Sequence, residues 1–330
     1  MVDHPLSVHN LSSVTCANAL RELLDEGVTL TSESDSQSTP GETEILVAGR
    51  PSREGVEACS NLRMLIVPFA GVPEATRELM LDFPHVAVHN LHHNAAAAAE
   101  LAIALFLAAA KRLIPADRAL RTGDWSIRYA DTGDLLIEGK TALVLGLGAV
   151  GLRIARACRG FGMKVLAIRR HPKLDQQTNV DIEVHGTDSL HAVLPAADAL
   201  FIALPLTPAT RGLLGARELA LLPARSVLVN IARGPIVDEE ALFDALSAGR
   251  IGAGLDAWYN YPRTADRRAS TFPSAFPFHM LDNAVLSPHR GGAFNQPEME
   301  RLRIEHLARL LNAAARGEAV PNRVDVDAGY

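Results

Sequence analysis

Cysteine is scarce in this chain. The three present, Cys16, Cys59 and Cys158, are scattered, odd in number and without metal-ligand spacing, so neither a disulfide framework nor a cysteine-based metal site is expected, and a reducing cytoplasm is the expected setting. A surplus of basic charge is missing as well: the formal net charge is −6. Nucleic acid and anionic membrane surfaces both call for a basic face, so neither is an expected partner. Long hydrophobic runs are absent too, because the most apolar one, Leu101 to Ala110, is too short to cross a bilayer and is bracketed by Glu100 and Lys111. Met1 to Pro5 lacks the basic segment and apolar core of a signal peptide. No internal repeat is visible.

What is present is ordinary globular composition, 48% hydrophobic and 21% charged over 330 residues, enough chain for two domains. Within it, Gly146-Leu147-Gly148-Ala149-Val150-Gly151 follows the apolar run Thr141 to Leu145 and opens the periodic stretch Leu152, Ile154, Ala155, Cys158. Strand, glycine turn and helix in that order form a dinucleotide-binding unit: the turn aims backbone N–H groups and a helix dipole at a pyrophosphate, and glycine alone lets the backbone approach. A tight turn that binds nothing is the competing reading. A second strand, Lys164 to Ile168, completes the unit.

That second strand ends at the position where NAD-binding chains place an acid for the ribose hydroxyl. Here stand Arg169, Arg170 and His171. Guanidinium groups grip a 2′-phosphate through charge-assisted hydrogen bonds, so NADP(H) is the expected cofactor ahead of NAD(H). The alternative is a solvated basic turn beside Lys173.

The remaining pattern predicts an α/β fold. Strand-like runs at Glu44 to Ala48, Met64 to Val67 and Val86 to His89, with a helical run at Val14 to Leu24, suggest a small α/β domain, and Thr31 to Thr43 reads as a surface loop. An alanine-rich stretch predicts one helix over Ala95 to Arg112. Strands at Ala199 to Leu204, Ser226 to Ile231, Gly252 to Leu255 and Ala284 to Ser287, with a helix over Asp238 to Ser247, predict a doubly wound parallel sheet. A last helix, about Pro297 to Ala315, is expected to return to the N-terminal domain. Residues 1–94 and 291–330 would form a smaller flavodoxin-like substrate domain, and 95–290 a Rossmann-type dinucleotide-binding domain.

Several ordered segments carry a family resemblance: Gly146 to Gly151; Leu204-Pro205-Leu206-Thr207 with Thr210; Val229-Asn230-Ile231-Ala232-Arg233-Gly234; Gly254-Leu255-Asp256; and Ser287-Pro288-His289 with Gly291. Along almost its whole length the chain resembles the D-isomer-specific 2-hydroxyacid dehydrogenases. The resemblance implies reversible hydride transfer between a nicotinamide and C2 of a small 2-oxo or 2-hydroxy acid, in a homodimer that uses the Ala95 to Arg112 helix and its neighbours. It assigns Arg233 to the substrate carboxylate and His289 to proton donation, a surface salt bridge from Arg233 to Asp238 or Glu239 being the competing reading. It also implies cofactor contacts from Gly146, Gly148, Ala149, Val150, Gly151, Arg169, Arg170, Leu204, Pro205, Thr210, Ile231, Ala232 and Gly291. Asp256 resembles the family's nicotinamide-orienting carboxylate, with helix capping as its alternative. Ala70, Gly71 and Val72 resemble the loop whose N–H groups help hold the substrate.

One position departs from the family pattern. A glutamate usually precedes the proline of the stretch that is here Leu255-Asp256-Ala257-Trp258-Tyr259-Asn260-Tyr261-Pro262, and Tyr261 stands in its place. A phenol can fix the tautomer of His289 but cannot stabilise imidazolium as a carboxylate does, so His289 is expected to titrate lower than in relatives. The cluster His89, Asn90, His92, His93, Asn94 is open to three readings. His92 or His93 lines the substrate cleft and favours a polar or anionic substrate end, the group starts the following helix, or it binds metal, which the lack of an acid or cysteine beside it disfavours. Trp258, Tyr259, Phe272, Phe276 and Phe278, in or beside the long Arg263 to Phe278 segment, either wall a pocket or pack a core. Three functions follow: an NADPH-dependent 2-oxoacid reductase of the glyoxylate and hydroxypyruvate type, a dinucleotide-binding redox sensor of the same fold with little turnover, and a dehydrogenase of a non-carbon acid such as phosphite.

Overall fold

Short apolar runs become parallel strands throughout the computed structural model, which describes residues 5–12, 16–32, 40–131, 133–171, 181–293 and 296–329. In chain order the elements are β1 (Leu6–Asn10), α1 (Ala17–Arg21), β2 (Val28–Ser32), β3 (Ile45–Val47), α2 (Arg53–Glu57), β4 (Met64–Val67), α3 (Glu74–Leu81) and β5 (Ala87–Asn90). There follow α4 (Ala95–Ala110), α5 (Leu113–Arg121), β6 (Thr141–Leu145), α6 (Ala149–Gly160), β7 (Lys164–Ile168), β8 (Glu183–His185), α7 (Leu190–Val193), β9 (Ala199–Ile202), α8 (Ala216–Leu221), β10 (Val227–Asn230), α9 (Glu239–Ser247), β11 (Gly252–Leu255), β12 (Ala284–Leu286) and α10 (Pro297–Ala315). No helix among the described residues is long and apolar enough to cross a membrane.

The chain divides into two units, residues 1–94 with 293–330, and residues 95–292. In the first, five parallel strands run in the order β2-β1-β3-β4-β5, the flavodoxin order. Alternate side chains feed two cores. Leu6, Val8 and Ile45 meet Leu20 of α1 with Leu307 and Leu311 of α10 on one face, while Leu46, Leu65 and Val67 meet Val56 of α2 and Met80 of α3 on the other.

The second unit carries seven parallel strands in the order β12-β11-β10-β9-β6-β7-β8. Taken from β6, this is the Rossmann order with one strand added at the edge. Strands buried on both faces read as unbroken apolar runs, and β6 shows why: Ala142 and Val144 face Phe106 of α4 and Ile154 of α6, while Leu143 and Leu145 face the core that holds Leu219 of α8 and Leu242 of α9.

Some expected boundaries shift. The helix expected to run to Arg112 ends at Ala110, Arg112 takes a left-handed φ of 45°, and α5 starts anew. Pro115 explains the break, because its ring has no N–H for the Lys111 carbonyl and would collide with it in a continuous helix. Strand β8 and helix α8 were not foreseen. Strand β8 is three residues at a sheet edge with no buried position, so it lacks an apolar signal. Of the expected Val14 to Leu24 helix, Ala17–Arg21 is helical and residues 14 and 15 lie outside the described residues. Thr31 and Ser32 of the expected loop belong to β2, 40–42 form a single 3-10 turn, and 33–39 lie outside the described residues, as does Lys173.

Candidate active site

The glycine turn is built as its spacing predicts. Gly146 has φ 91°, and a Cβ there would stand 2.6 Å from the Ala203 carbonyl oxygen; a Cβ on Gly151 would stand 1.8 Å from the Gly146 oxygen. Both glycines are therefore fixed by close approach. At Gly148, by contrast, nothing lies within 4 Å of where a Cβ would be. Gly148 caps α6 without a side-chain hydrogen bond and the first turn holds no acid, and the leading N–H groups at Ala149, Val150 and Gly151 have no intrahelical acceptor. That arrangement fits a pyrophosphate.

Arg169 follows the end of β7 with its own N–H on the His185 carbonyl at 3.1 Å. Among the described residues its guanidinium has no hydrogen-bond or salt-bridge partner, which fits a cation waiting for phosphate; Arg170 is exposed beside it. Leu204 and Pro205 follow β9, and Ile231 and Ala232 follow β10, at the carboxyl edge where open α/β sheets bind ligands. Thr210 has a different immediate task. Its hydroxyl donates to the Pro205 carbonyl at 2.7 Å and accepts from the Thr207 N–H at 2.8 Å, so it braces the loop that follows β9.

Arg233 stands just past β10, held by a neighbour that the sequence reading passed over. Buried Asn230 accepts from the Ala232 N–H at 3.0 Å and donates to the Arg233 carbonyl at 3.0 Å, closing the loop from which Arg233 projects. Gly234 lets this loop meet the chain after β11, since a Cβ there would stand 2.3 Å from the Trp258 oxygen. The exposed guanidinium donates to the Ala232 carbonyl at 2.7 Å and makes no salt bridge among the described residues. Asp238 and Glu239, its suggested surface partners, are engaged elsewhere: Asp238 caps α9 through the Ala241 N–H at 2.9 Å, and Glu239 accepts from the Ser274 hydroxyl at 2.6 Å and the Ala275 N–H at 2.9 Å.

His289 follows β12 with a left-handed φ of 57°, unusual for a side chain of this size. Asp256 holds that turn. Its buried carboxylate accepts from the Ser287 hydroxyl at 2.5 Å, the Arg290 N–H at 2.6 Å and the Gly291 N–H at 2.8 Å. Helix capping is thereby ruled out as its role. Gly291 likewise serves the turn through its N–H.

Tyr261 meets His289. Its hydroxyl accepts from the Trp258 N–H at 3.0 Å and lies 3.3 Å from His289 Nδ1, with the two rings perpendicular and 5.5 Å apart. A phenol can donate to a neutral imidazole and accept from imidazolium, so this contact serves both states. Partial burial pushes the Tyr261 phenol up, against the Trp258 hydrogen bond and the nearby Arg233 charge. His289 is held below its ordinary value, chiefly by burial; the Asp256 carboxylate opposes this, the Arg233 cation reinforces it, and a hydrogen bond to the Asp256 backbone opposes it. Arg233, Tyr261, Asp256 and His289 thus share one electrostatic environment.

The aromatic residues divide between core and surface. Trp258 and Phe278 are buried, stacked edge to face, and Trp258 Nε1 donates to the Ser287 carbonyl at 2.7 Å. Phe276 stacks on Phe243, the Tyr259 hydroxyl donates to the Val237 carbonyl, and Phe272 is exposed beside His279. Core packing is therefore the role of Trp258, Phe276 and Phe278.

The other candidates belong to the first unit. Ala70, Gly71 and Val72 form a partly exposed bend after β4, where the Ala70 carbonyl accepts from the Asn90 amide at 2.6 Å. His92 is partly exposed. His93 is 5% exposed, and burial together with the nearby Arg303, His306 and His92 lowers it to about 4. It is therefore neutral near pH 7. No cluster of three or more His, Cys, Asp or Glu that could hold a metal occurs among the described residues.

The family model for the D-isomer specific 2-hydroxyacid dehydrogenase NAD binding domain matches residues 103–291. A glyoxylate reductase of Thermococcus litoralis is 34% identical over 237 residues, covering 70% of this chain and 67% of that protein. A D-3-phosphoglycerate dehydrogenase of Methanocaldococcus jannaschii is 28% identical over 276 residues, covering 83% of this chain and 50% of that protein. The chain thus spans about two thirds of one curated relative and half of the other. Among solved structures, a D-isomer specific 2-hydroxyacid dehydrogenase from Xanthobacter autotrophicus Py2, in complex with NADPH and MES, superposes with a TM-score of 0.79 at 26% identity, covering 99% of this chain and 100% of that one. By its dinucleotide-binding sheet, its ordered motifs and these matches, the chain belongs to the D-isomer specific 2-hydroxyacid dehydrogenase family.

Proposed function

We propose that this protein is a D-specific reductase of small 2-oxo acids, of the glyoxylate and hydroxypyruvate type, that prefers NADP(H) to NAD(H). The observation that carries this reading is the convergence of Arg233, Tyr261 and His289 just beyond β10, β11 and β12 of the dinucleotide-binding sheet. The names of the glyoxylate reductase relatives and the NADPH in the Xanthobacter complex support it.

The turn at Gly146, Gly148, Ala149, Val150 and Gly151 would hold the cofactor pyrophosphate, and Arg169 and Arg170 the 2′-phosphate, while the bound nicotinamide supplies or takes the hydride. Arg233, which makes no salt bridge among the described residues, grips the substrate carboxylate and polarises its carbonyl with the planar guanidinium fork. Imidazolium at His289 gives its proton to the oxygen of the reduced carbonyl, and neutral His289 takes it back in the reverse direction. Tyr261 keeps Nδ1 hydrogen-bonded in both states. Ala70, Gly71, Val72, His92 and His93 remain the first unit's substrate candidates. Leu113, Leu120, Trp125, Tyr129 and Leu136 are exposed, and α5 buries none of its residues, which favours a homodimer through this region next to α4; a sedimenting mass near 35.4 kDa would argue against it. Three free cysteines are in keeping with a reducing cytoplasm.

The test is a screen of NADPH and NADH oxidation against glyoxylate, hydroxypyruvate, pyruvate and phenylpyruvate. At least one acid should be turned over, faster at low cofactor with NADPH, and Arg169→Ala should erase that preference. Cofactor binding without turnover would favour the sensor reading, for which the lack of a carboxylate at Tyr261 is the specific observation.

The same residue makes a pH prediction. Reduction requires imidazolium, and the His289 proton is held weakly, so the reductive rate should fall as pH rises through a value below 6.5. Tyr261→Glu would put a negative charge beside Nδ1 and move that limb about one pH unit or more alkaline. Superimposable profiles for the two proteins would exclude Tyr261 as the controlling neighbour.

A further inference from the structure

The segment that leads away from Tyr261 forms a loop of its own. At its base the Asn260 N–H donates to the Pro273 carbonyl at 2.9 Å, and the Asn260 side-chain amide donates to the Phe272 carbonyl at 2.9 Å. Inside it Ala265–Arg267 make a 3-10 turn, and the Arg267 carbonyl accepts from the Ser270 N–H at 3.1 Å and the Thr271 hydroxyl at 2.8 Å. Closed ends and internal turns make this a compact surface loop, a class that is often functional. Residues 261–270 are all exposed, so the loop adds little to the core. Its charge is lopsided: Arg263, Arg267 and Arg268 stand against Asp266 alone, in a chain whose formal net charge is −6. None of the three guanidinium groups has a hydrogen-bond or salt-bridge partner among the described residues.

The first residue of the loop ties it to the chemistry. Tyr261 lies 3.3 Å from His289 Nδ1, so Arg263, two residues after Tyr261, and Arg290, next to His289, both stand within two residues of that contact. Arg290 is exposed, its N–H is held by Asp256, and its guanidinium has no partner among the described residues. The charges that shift His289 belong to Asp256 and Arg233, so Arg263 and Arg290 stand farther from the imidazole than those two. A 2-oxo acid gripped by Arg233 at its carboxylate and by His289 at its carbonyl can only extend away from both. A surplus of guanidinium groups so close to the imidazole favours a substrate whose far end is negative, since a planar fork pairs best with a carboxylate.

We propose that Arg263, Arg267, Arg268 and Arg290 form a cationic rim that makes this protein selective for 2-oxo acids with a second carboxylate. The inference rests on the reductase reading of the site and names the substrate class within it. Arg233 holds the carboxylate next to the reacting carbon, and the rim attracts the one at the far end. Such a field acts on the capture of substrate rather than on proton or hydride transfer. It therefore enters KM more than kcat and leaves the pH profile alone.

The experiment compares matched substrates, 2-oxobutanedioate against 2-oxobutanoate and 2-oxopentanedioate against 2-oxopentanoate, each pair alike in chain length and different in terminal charge. In the full-length wild type kcat/KM should favour the dianion of at least one pair by about tenfold or more, the effect of one added charge-assisted contact. Replacing Arg263, Arg267 and Arg268 together by glutamine, and separately Arg290→Gln, should each lower that ratio by about threefold or more, through KM. Lysine at the same positions should keep most of the ratio, and raising the salt should erode it in the wild type. Both sets of substitutions leave the backbone N–H groups in place, and with them the Asp256 contacts, and an unchanged melting temperature checks the fold. A smaller wild-type ratio in both pairs, or glutamine variants whose ratio stays within about threefold of wild type, would overturn the assignment. If no acid is reduced, glyoxylate included, the reductase reading fails first and this inference with it. Reduction of glyoxylate and the monoanions without preference for the dianions would sink the rim alone.

Discussion

His289→Ala is expected to lower kcat in the reductive direction by about 10²- to 10⁴-fold, the range that positioned general acids contribute, while the dissociation constant for NADPH changes little. The separation follows from geometry. The turn that carries His289 is held by the Asp256 carboxylate through Ser287, Arg290 and Gly291, none of whose contacts uses the imidazole. Removing the ring therefore leaves the turn in place and deletes the proposed proton source. Alanine also keeps the left-handed backbone at this position under strain similar to that of histidine, so loss of fold should not masquerade as loss of chemistry. Steady-state rates for His289→Ala, measured from pH 5 to 9 with the best substrate of the screen, check the role. A variant within threefold of wild type across that range would remove His289 from the mechanism.

Arg233→Lys is expected to cost about 10- to 100-fold in kcat/KM, because hydrogen bonds to charged groups are worth about 1.5–3 kcal/mol and an ammonium cannot reproduce a bidentate hold. The loss should appear in both KM and kcat. Carboxylate grip is common to ground and transition states and so enters KM, whereas polarisation of the reacting carbonyl strengthens as charge develops and so enters kcat. The loop itself should survive, since Asn230 closes it through the backbone of Ala232 and Arg233 rather than through the guanidinium. A lysine variant with normal kcat/KM would mean that the substrate carboxylate is held elsewhere.

The two predictions draw on information of different depth. Arg233 and His289 were legible because each belongs to a short ordered motif that ends a strand, and the pattern of strand ends specifies the carboxyl edge of a parallel sheet. Asn230 could have been noticed as well, since an asparagine at a strand end two residues before the next loop N–H is a local turn signal. Asp256 was legible as a family position but not in its immediate task. Its donors lie 31 to 35 residues away, at Ser287, Arg290 and Gly291, and no local pattern announces such a pairing. The aromatic segment was undecidable for the same reason: Trp258 and Phe278 are core residues because they meet each other and the Ser287 backbone, a fact of packing rather than of composition. The alanine-rich helix was expected to end at Arg112 and ends at Ala110, and the helix Leu113–Arg121 that follows it was not foreseen.

What the sequence determined by itself is whatever depends on neighbours along the chain: the glycine turn at Gly146 to Gly151, the alternating strands and helices that fill both faces of each sheet, and the arginine that replaces an acid at Arg169. Only the tertiary structure decided which groups share an environment. It joined Tyr261 to His289, set Asp256 beneath the histidine turn, left Arg233 without a salt bridge among the described residues and buried His93 in a neutral state. The reason is physical: backbone conformation is governed by a few adjacent residues, whereas the charge and orientation of a side chain are set by whatever the fold brings within a few ångströms.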